Sequence, residues 1–310
     1  MSGERTGGAA ADEPPVVVKV GGAKAVDPAG AVGDVAHLTA NGREVVVVHG
    51  GSTVVDETLE RLGIEPEYVE SASGVTGRFT DAATMEAFAM AMAGKLNTEL
   101  TARFRSAGVD AVGLSGVDGG LLSGPRKSAV RVVEDGKRKI RRGDHSGRIE
   151  SVNADLLAGL LDDGYTPVVS PPMAGDEGDG EVTPVNADAD RAAAAVAGAL
   201  GADLVLLTDV SGVYADPDDP ETRIDAAATP EELAAVEDAA EGFMGKKVMA
   251  ATEALEGGAG RVVIADANVR DPVVAALGGE GTAIERSALG DGAGDDAGGG
   301  EAPEEGGETA

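Results

Sequence analysis

Three stretches of the chain place cations beside glycine turns. Lys19 stands in "VVVKVGG", two residues before Gly21 and Gly22; "VVVVHGGS" ends on Gly50 and Gly51; "GFMGKKV" carries Lys246 and Lys247. Glycine lets a backbone approach a ligand closely, and the free N–H groups at a helix start point at anions. A single glycine pair serves any tight turn. Two such pairs, each closing an apolar run and one of them next to a lysine, predict a phosphate site. Lys246 and Lys247 fall at a predicted helix start, where the dipole disfavours a cation unless an anion arrives to offset it. Two further stretches add polar groups at comparable places. "VNADADRAAAA" offers Asn186, Asp188 and Asp190 ahead of an alanine-rich helix, where capping explains one residue but not three. "LLTDVSGV" closes an apolar run with Thr208 and Asp209. The Walker A pattern and GxGxxG are both missing from these loops, which disfavours a P-loop enzyme and a dinucleotide-dependent oxidoreductase.

Positive charge is concentrated in one other place. Arg126–Arg142 contains eight basic residues against Glu134 and Asp135, in a chain whose formal net charge is −30. The pattern "SAVRVV", a turn at "EDG", then "KRKIRR" predicts a β-hairpin. It is either a solvated hairpin or a docking site for something negative.

The elements that position these loops are legible as short β-branched runs: 16–20, 45–49, 110–114, 166–170, 204–208 and 261–265. They are continuous rather than alternating, as in strands buried on both faces. Helical stretches lie between most of them, including Ala82–Arg105, Val152–Leu161, Asp190–Leu200 and Lys246–Leu255, and Ser52 or Thr53 can cap a helix after the second run. This alternation predicts an α/β fold, a three-layer αβα sandwich around a mainly parallel sheet, with ligands at the carboxyl ends of the strands. A lobe over 15–180 and a second over 181–287 are expected. Residues 1–14 and the Gly- and acid-rich stretch 288–310 are expected to be disordered.

Composition narrows the class. With no cysteine there is no disulfide and no thiolate metal site, and three scattered histidines suggest no metal cluster. No apolar run approaches the roughly 20 residues of a membrane span, and no signal-peptide core is present, so a cytoplasmic location is expected. Acidic residues outnumber basic ones 55 to 25. Such a surface repels nucleic acid and suits a very salty cytoplasm.

The order "KVGG … HGGS … GRFTD … NADAD … LTDVSGV … MGKK" resembles the amino-acid kinase family, in its acetylglutamate-kinase-like branch, over roughly residues 16–284. Through "GLSGVDGGLL" and the basic segment it looks most like members acting on glutamate or 2-aminoadipate attached to a small amino-group carrier protein. Members acting on free N-acetylglutamate usually carry a third glycine where Ser52 stands. The resemblance implies transfer of the ATP γ-phosphoryl group to a side-chain carboxylate, with Mg²⁺ riding on the phosphates. By the same resemblance, Lys19 and Lys247 (rather than Lys246) flank the moving group and Asp190 orients them. Gly21, Gly22, Thr208 and Asp209 would serve the nucleotide, and Gly50, Gly51, Arg78 and Asn186 the substrate, the backbone N–H groups of Gly22, Gly50 and Gly51 acting as donors. Arg138, Lys139 and Arg141 would dock an acidic carrier, and the enzyme would be a homodimer.

Overall fold

The computed structural model describes residues 13–22, 27–70, 76–134, 137–178 and 180–290. The expected disorder of the N-terminal residues through 12 and of the tail from 291 lies outside the described residues, as do Asp135 and Gly136 of the expected turn. The ordered fold reaches slightly past its expected end: Ala288 is buried and Leu289 packs on the core.

In chain order the elements are β1 (Val16–Val20), α1 (Ala29–Ala40), β2 (Val45–His49), α2 (Ser52–Arg61), β3 (Tyr68–Glu70), β4 (Thr76–Arg78) and α3 (Ala82–Ala89). A π-helical segment, Met90–Leu96, leads into α4 (Asn97–Ser106), β5 (Ala111–Gly116), β6 (Leu122–Glu134), β7 (Lys137–Gly147), β8 (Ser151–Val152) and α5 (Ala154–Asp162). The rest comprises β9 (Thr166–Asp176), β10 (Val182–Val185), α6 (Ala189–Leu200), β11 (Asp203–Thr208), β12 (Ala226–Ala227), α7 (Pro230–Ala239), α8 (Gly242–Glu256), β13 (Arg261–Asp266), α9 (Pro272–Leu277) and β14 (Thr282–Glu285).

One sheet runs β12-β14-β13-β11-β1-β2-β9-β6-β7, with β5 and β10 also paired to β9 and β8 to β6. Its centre, β13-β11-β1-β2-β9, is parallel. Antiparallel pairs lie toward its ends. The sheet continues unbroken past residue 180, so the two expected lobes are halves of one sheet. β1 is the switch point, with β2 on one side and β11 on the other, and ligands favour the crevice at such a point.

Alternation along the central strands sends side chains to both faces. Val17 of β1, Val46 and Val48 of β2, and Leu204 and Leu206 of β11 join one core, shared with α6 and α8. Val16, Val18, Val45, Val47, Val205 and Leu207 join the other, shared with α1 and α4. Strands buried on both faces read as unbroken apolar runs, which explains why these were visible in the sequence.

The alanine-rich face of α6 brings α8 close. A Cβ on Gly198 would meet the backbone of Gly257 at 2.9 Å, so backbone packs on backbone there. Gly198→Val should therefore overpack this contact and cost about 1–3 kcal/mol in urea unfolding. Gly33→Ala, on an exposed turn of α1 with open space around it, should stabilise by about 0.5–1 kcal/mol. Equal midpoints for the two variants would show that the α6–α8 contact is looser than described.

Candidate active site

Lys19 shares the strand face of Val17, the face covered by α6 and α8. Asp190 lies in the first turn of α6 and Lys247 on α8, and the close helix packing delivers all three to one point. Lys19 Nζ is 2.7 Å from Asp190 Oδ1, and Lys247 Nζ is 3.0 Å from Asp190 Oδ2. All three side chains are largely buried, being only 7%, 13% and 14% exposed. Burial alone would raise the Asp190 carboxyl, but the two ammonium charges outweigh it and hold the group below its usual range. Burial dominates at Lys19 and lowers its pKa, with the repulsion of Lys247 adding to it against the pull of Asp190.

The three polar residues of "NADAD" divide the work. Asp188 caps α6, accepting from the backbone N–H groups of Asp190 and Arg191. Asp190 turns to the lysines. Asn186 donates from Nδ2 to Thr80 Oγ1 at 3.1 Å, tying this loop to "GRFTD".

The two glycine loops lie back to back. A Cβ on Gly22 would stand 1.9 Å from Gly51 N, so only glycine fits. The N–H of Gly50 donates to the Val20 carbonyl at 2.9 Å, which corrects the expectation that it serves a ligand. Among the described residues the N–H of Gly51 bonds to nothing, and it leads directly into α2. Gly51 is itself the N-cap residue of α2, and Ser52 lies inside the helix with no capping bond from its side chain. The expected Ser52 or Thr53 cap is thus replaced by a bare helix end, which leaves its donors for an anion. A second boundary also moves. α8 begins at Gly242, which puts Lys247 more than a turn inside, where the dipole has faded and the Asp190 carboxylate does the holding. Lys246 lies over the Phe243 ring, 5.4 Å from its centre.

A cleft of about 480 Å³ joins these groups. Lys19, Gly22, Gly50, Gly51, Arg78, Asn186, Asp190, Lys246 and Lys247 all line it, so most of the sequence-predicted site converges. Gly21 lies just outside its lining. Thr208 and Asp209 sit at the end of β11, one strand over from Lys19, with the Thr208 hydroxyl 3.2 Å from the Asp209 carboxylate. Arg78 is 8% exposed at its side chain and binds Asp56 Oδ1 at 2.6 Å and the Tyr68 hydroxyl at 3.2 Å. Its Nε is buried without a partner among the described residues, a donor left for a carboxylate. Sequence reading missed Asp56 and Tyr68, which hold Arg78 in place. Asp56 sits on α2, far from the motif in sequence, and no spacing signals it.

The basic segment forms the expected hairpin of β6 and β7. Direct pairs such as Arg131↔Ile140, Val133↔Arg138 and Ala129↔Arg142 share one face, and Val132↔Lys139 and Val130↔Arg141 the other. The grouping of Arg138, Lys139 and Arg141 as a single docking surface is corrected by this alternation. Arg141 forks onto both carboxylate oxygens of Glu67 and lies 4.6 Å over the Phe79 ring, packing the hairpin against the body. The opposite face carries Arg131, Arg138 and Arg142 around Ile140, which is 67% exposed. At the base of the hairpin, Lys127, Ser146 and Gly147 form part of the cleft wall.

Among the described residues no group of three or more His, Asp or Glu side chains could hold a metal ion, and no helix is long and apolar enough to cross a membrane.

The Amino acid kinase family model matches residues 14–266. A [LysW]-aminoadipate kinase of Deinococcus radiodurans is 44% identical over 271 residues, which are 87% of this chain and 91% of that protein. An acetylglutamate kinase of Methanopyrus kandleri is 45% identical over 222 residues, 71% of this chain and 84% of that one. Among solved structures, a carbamate kinase from Giardia lamblia bound to AMP-PNP superposes with a TM-score of 0.63 at 18% identity, covering 88% of this chain and 99% of that one.

The Lys19–Asp190–Lys247 arrangement has a stability signature. Asp190→Asn leaves two buried ammonium groups facing each other and should cost about 3 kcal/mol in urea unfolding at pH 7. Adding Lys19→Met should recover part of that loss. Because the Asp190 pKa is lowered by folding, its contribution is complete above the ordinary carboxylate range and is lost only as pH falls below about 4. An unchanged midpoint in Asp190→Asn would mean that the charges are solvated.

Proposed function

The chain belongs to the amino acid kinase family, and from that premise we propose that it transfers the ATP γ-phosphoryl group to the side-chain carboxylate of glutamate or 2-aminoadipate carried by an acidic amino-group carrier protein. The observation that carries the reading is the pair of lysines fixed on one carboxylate in the cleft lined by Gly51, whose N–H bonds to nothing among the described residues. Phosphoryl transfer leaves little covalent chemistry to the protein, and catalysis is positioning plus neutralisation of charge. A carboxylate acceptor is already ionised near neutral pH, so no base need be supplied.

In this mechanism Lys19 and Lys247 sit on either side of the transferring group and meet the charge on its equatorial oxygens. Asp190 keeps both ammonium groups at that point. The Gly51 N–H and the start of α2 receive the phosphoryl oxygens, with Gly22 close enough to allow contact through backbone alone. Arg78, braced by Asp56, offers Nε to the acceptor side, beside Asn186. Thr208 and Asp209 close β11 in the half, 181–287, that would hold the nucleotide; Gly21, just after β1 where the halves meet, would serve it too, and the rest of 15–180 would hold the acceptor and its carrier. Mg²⁺ would be held mainly by the nucleotide phosphates, where it neutralises their charge. In a cytoplasm rich in salt this reaction runs at high KCl. Two copies would pair through the exposed Leu62 and Met90, which share a shallow hollow beside α2 and the π-helix.

The carrier reading rests on the outward hairpin face, an arginine ring around an exposed isoleucine on a chain otherwise strongly acidic. It suits a partner with carboxylates around an apolar spot, and its base leads into the cleft.

Lys19→Ala and Lys247→Ala should each lower turnover about 10²–10³-fold while changing ATP affinity much less, because the charge matters most in the transition state. Near-normal turnover with only a raised KM for ATP would remove that assignment.

Acceptor choice is read by trapping acyl phosphate with hydroxylamine at high KCl, using loaded carrier, free glutamate and N-acetylglutamate. Carrier should be strongly preferred. Reversing Arg131, Arg138 and Arg142 together to Glu should raise its KM at least tenfold, about 1.4 kcal/mol, with ATP affinity and Tm retained. Unaltered carrier kinetics would reduce the hairpin to a solvated one. Efficient turnover of free N-acetylglutamate would favour the activity named for the Methanopyrus relative.

A further inference from the structure

His49 is the last residue of β2 and is 1% exposed, yet neither lysine nor the acidic groups of the cleft touch it. Its ring lies between two amides. Nδ1 is 3.1 Å from the Gly50 carbonyl oxygen, and Nε2 is 3.2 Å from Asn97 Nδ2. The Asn97 amide also stands 2.8 Å from the Val168 carbonyl of β9, the strand beside β2. A carbonyl accepts only, so this contact fixes the NH₂ end of Asn97 toward β9 and His49. Nε2 of His49 must then accept, the hydrogen must reside on Nδ1, and Nδ1–H must donate to Gly50. Burial pushes the His49 pKa down to about 4, so the ring is neutral near pH 7, as a ring that both donates and accepts must be.

The Gly50 carbonyl and the Gly51 N–H belong to one peptide unit, which is trans and planar. Holding the carbonyl toward His49 therefore aims the Gly51 N–H the opposite way. The other contacts of this loop limit its freedom further. Gly50 N–H is bonded to Val20, and a Cβ on Gly51 would meet Met92 Sδ at 2.4 Å and Leu96 Cδ2 at 2.7 Å. Met92 and Leu96 belong to the π-helical segment Met90–Leu96 that ends at Asn97. Such wide turns are rare and gather at functional sites. Here the segment packs beneath Gly51 and delivers the Asn97 amide to His49.

We propose that Asn97 and His49 are positioning residues: the Asn97 amide, anchored by donating to the Val168 carbonyl, also donates to His49 Nε2, and His49 Nδ1–H donates to the Gly50 carbonyl, a relay that fixes the Gly50–Gly51 peptide with the Gly51 N–H facing the phosphoryl site. The relay rests on the kinase reading for its consequence but not for its geometry. It also gives the Gly51 donor a polarised peptide, since hydrogen bonds in a chain strengthen one another.

The full-length protein has three histidines, so nitrogen-15 spectra can assign the His49 tautomer directly. The wild type should show Nδ1–H; an Nε2–H tautomer overturns the relay. Two substitutions separate positioning from packing. His49→Asn keeps an amide donor near the place of Nδ1 but leaves a void, whereas His49→Phe fills the space and donates nothing. Turnover should fall at least tenfold in His49→Phe, with little change in the KM for ATP, and His49→Asn should recover most of it. The opposite ranking would mean that the ring only fills space. Should His49→Phe not fold, Asn97→Leu tests the relay from its outer end and should lower turnover in the same sense. If the wild type phosphorylates no acceptor, the kinase reading fails while the relay remains open to judgement. The Gly51 amide resonance must then shift in His49→Phe and shift less in His49→Asn, and equal shifts would overturn it.

Discussion

Two ammonium groups in a mostly buried cleft repel each other, and the rest of this molecule is arranged around the carboxylate that lets them coexist. At 4 Å, even with an effective dielectric constant near 20, a pair of like charges costs about 4 kcal/mol. Asp190 removes that cost by touching both, and it can do so because three separate elements meet at one point. β1 supplies Lys19 on the face of Val17, α6 supplies Asp190 from its first turn, and α8 supplies Lys247. Large residues along α6 would push α8 outward and open the second contact. The run of alanines and the Gly198–Gly257 approach are thus requirements of the charge arrangement as much as of the core.

This dependence explains which features were legible in the sequence. Central strands declare themselves because both faces are buried, and Val16–Val20 and Val45–His49 fall where the apolar runs do. The lysines, Asp190 and the glycine pairs declare themselves because a charge held beside a glycine turn serves little purpose besides meeting an anion. The margins were hidden. β10, β12 and β14 are short strands of two to four residues, without a run long enough to notice. The start of α2 was misjudged because Ser52 and Thr53 are good caps, whereas the fold makes Gly51 the N-cap and takes both into the helix. Asp56, Tyr68, Asn97 and His49 stayed out of the predicted site for a shared reason. Each acts through another residue, and the partners are set by packing across the fold rather than by spacing along it.

The hairpin shows how one basic composition can be divided between two faces. Its basic residues form one block in the sequence, but alternation divides them between faces. Arg141 is spent internally on Glu67 and Phe79, an attachment that holds the hairpin against the body of the protein. Arg131, Arg138 and Arg142 face the other way. If the protein works at about 1 M salt, where the Debye length is near 3 Å, a carrier of the kind proposed would not be drawn to this face from a distance. On that reading it would work by contact, for which arginine forks and an exposed apolar residue suit better than lysines.

On the proposed reading, the same cleft would receive its ligands through two different kinds of recognition. On the phosphate side, contact would be made mostly by backbone: the Gly51 N–H and the bare start of α2, Gly22 where no side chain fits, and the proposed histidine–asparagine relay that aims them. On the acceptor side it is made by side chains, with Arg78 braced by Asp56 and Asn186 tied to Thr80. The base of the hairpin connects to this second side, because the His145 N–H donates to the Thr80 carbonyl and the Gly147 N–H to Asn186. Asp144, buried between them, accepts from the Thr80 and Ser146 N–H groups. A partner seated on the hairpin would thus press on the elements that hold the acceptor, while the phosphate loops, anchored to β2 and the π-helix, would stay fixed. On the proposed reading, a bulky acceptor would then meet side chains coupled to the hairpin, while the charges that would perform the transfer are held by separate contacts among β1, α6 and α8.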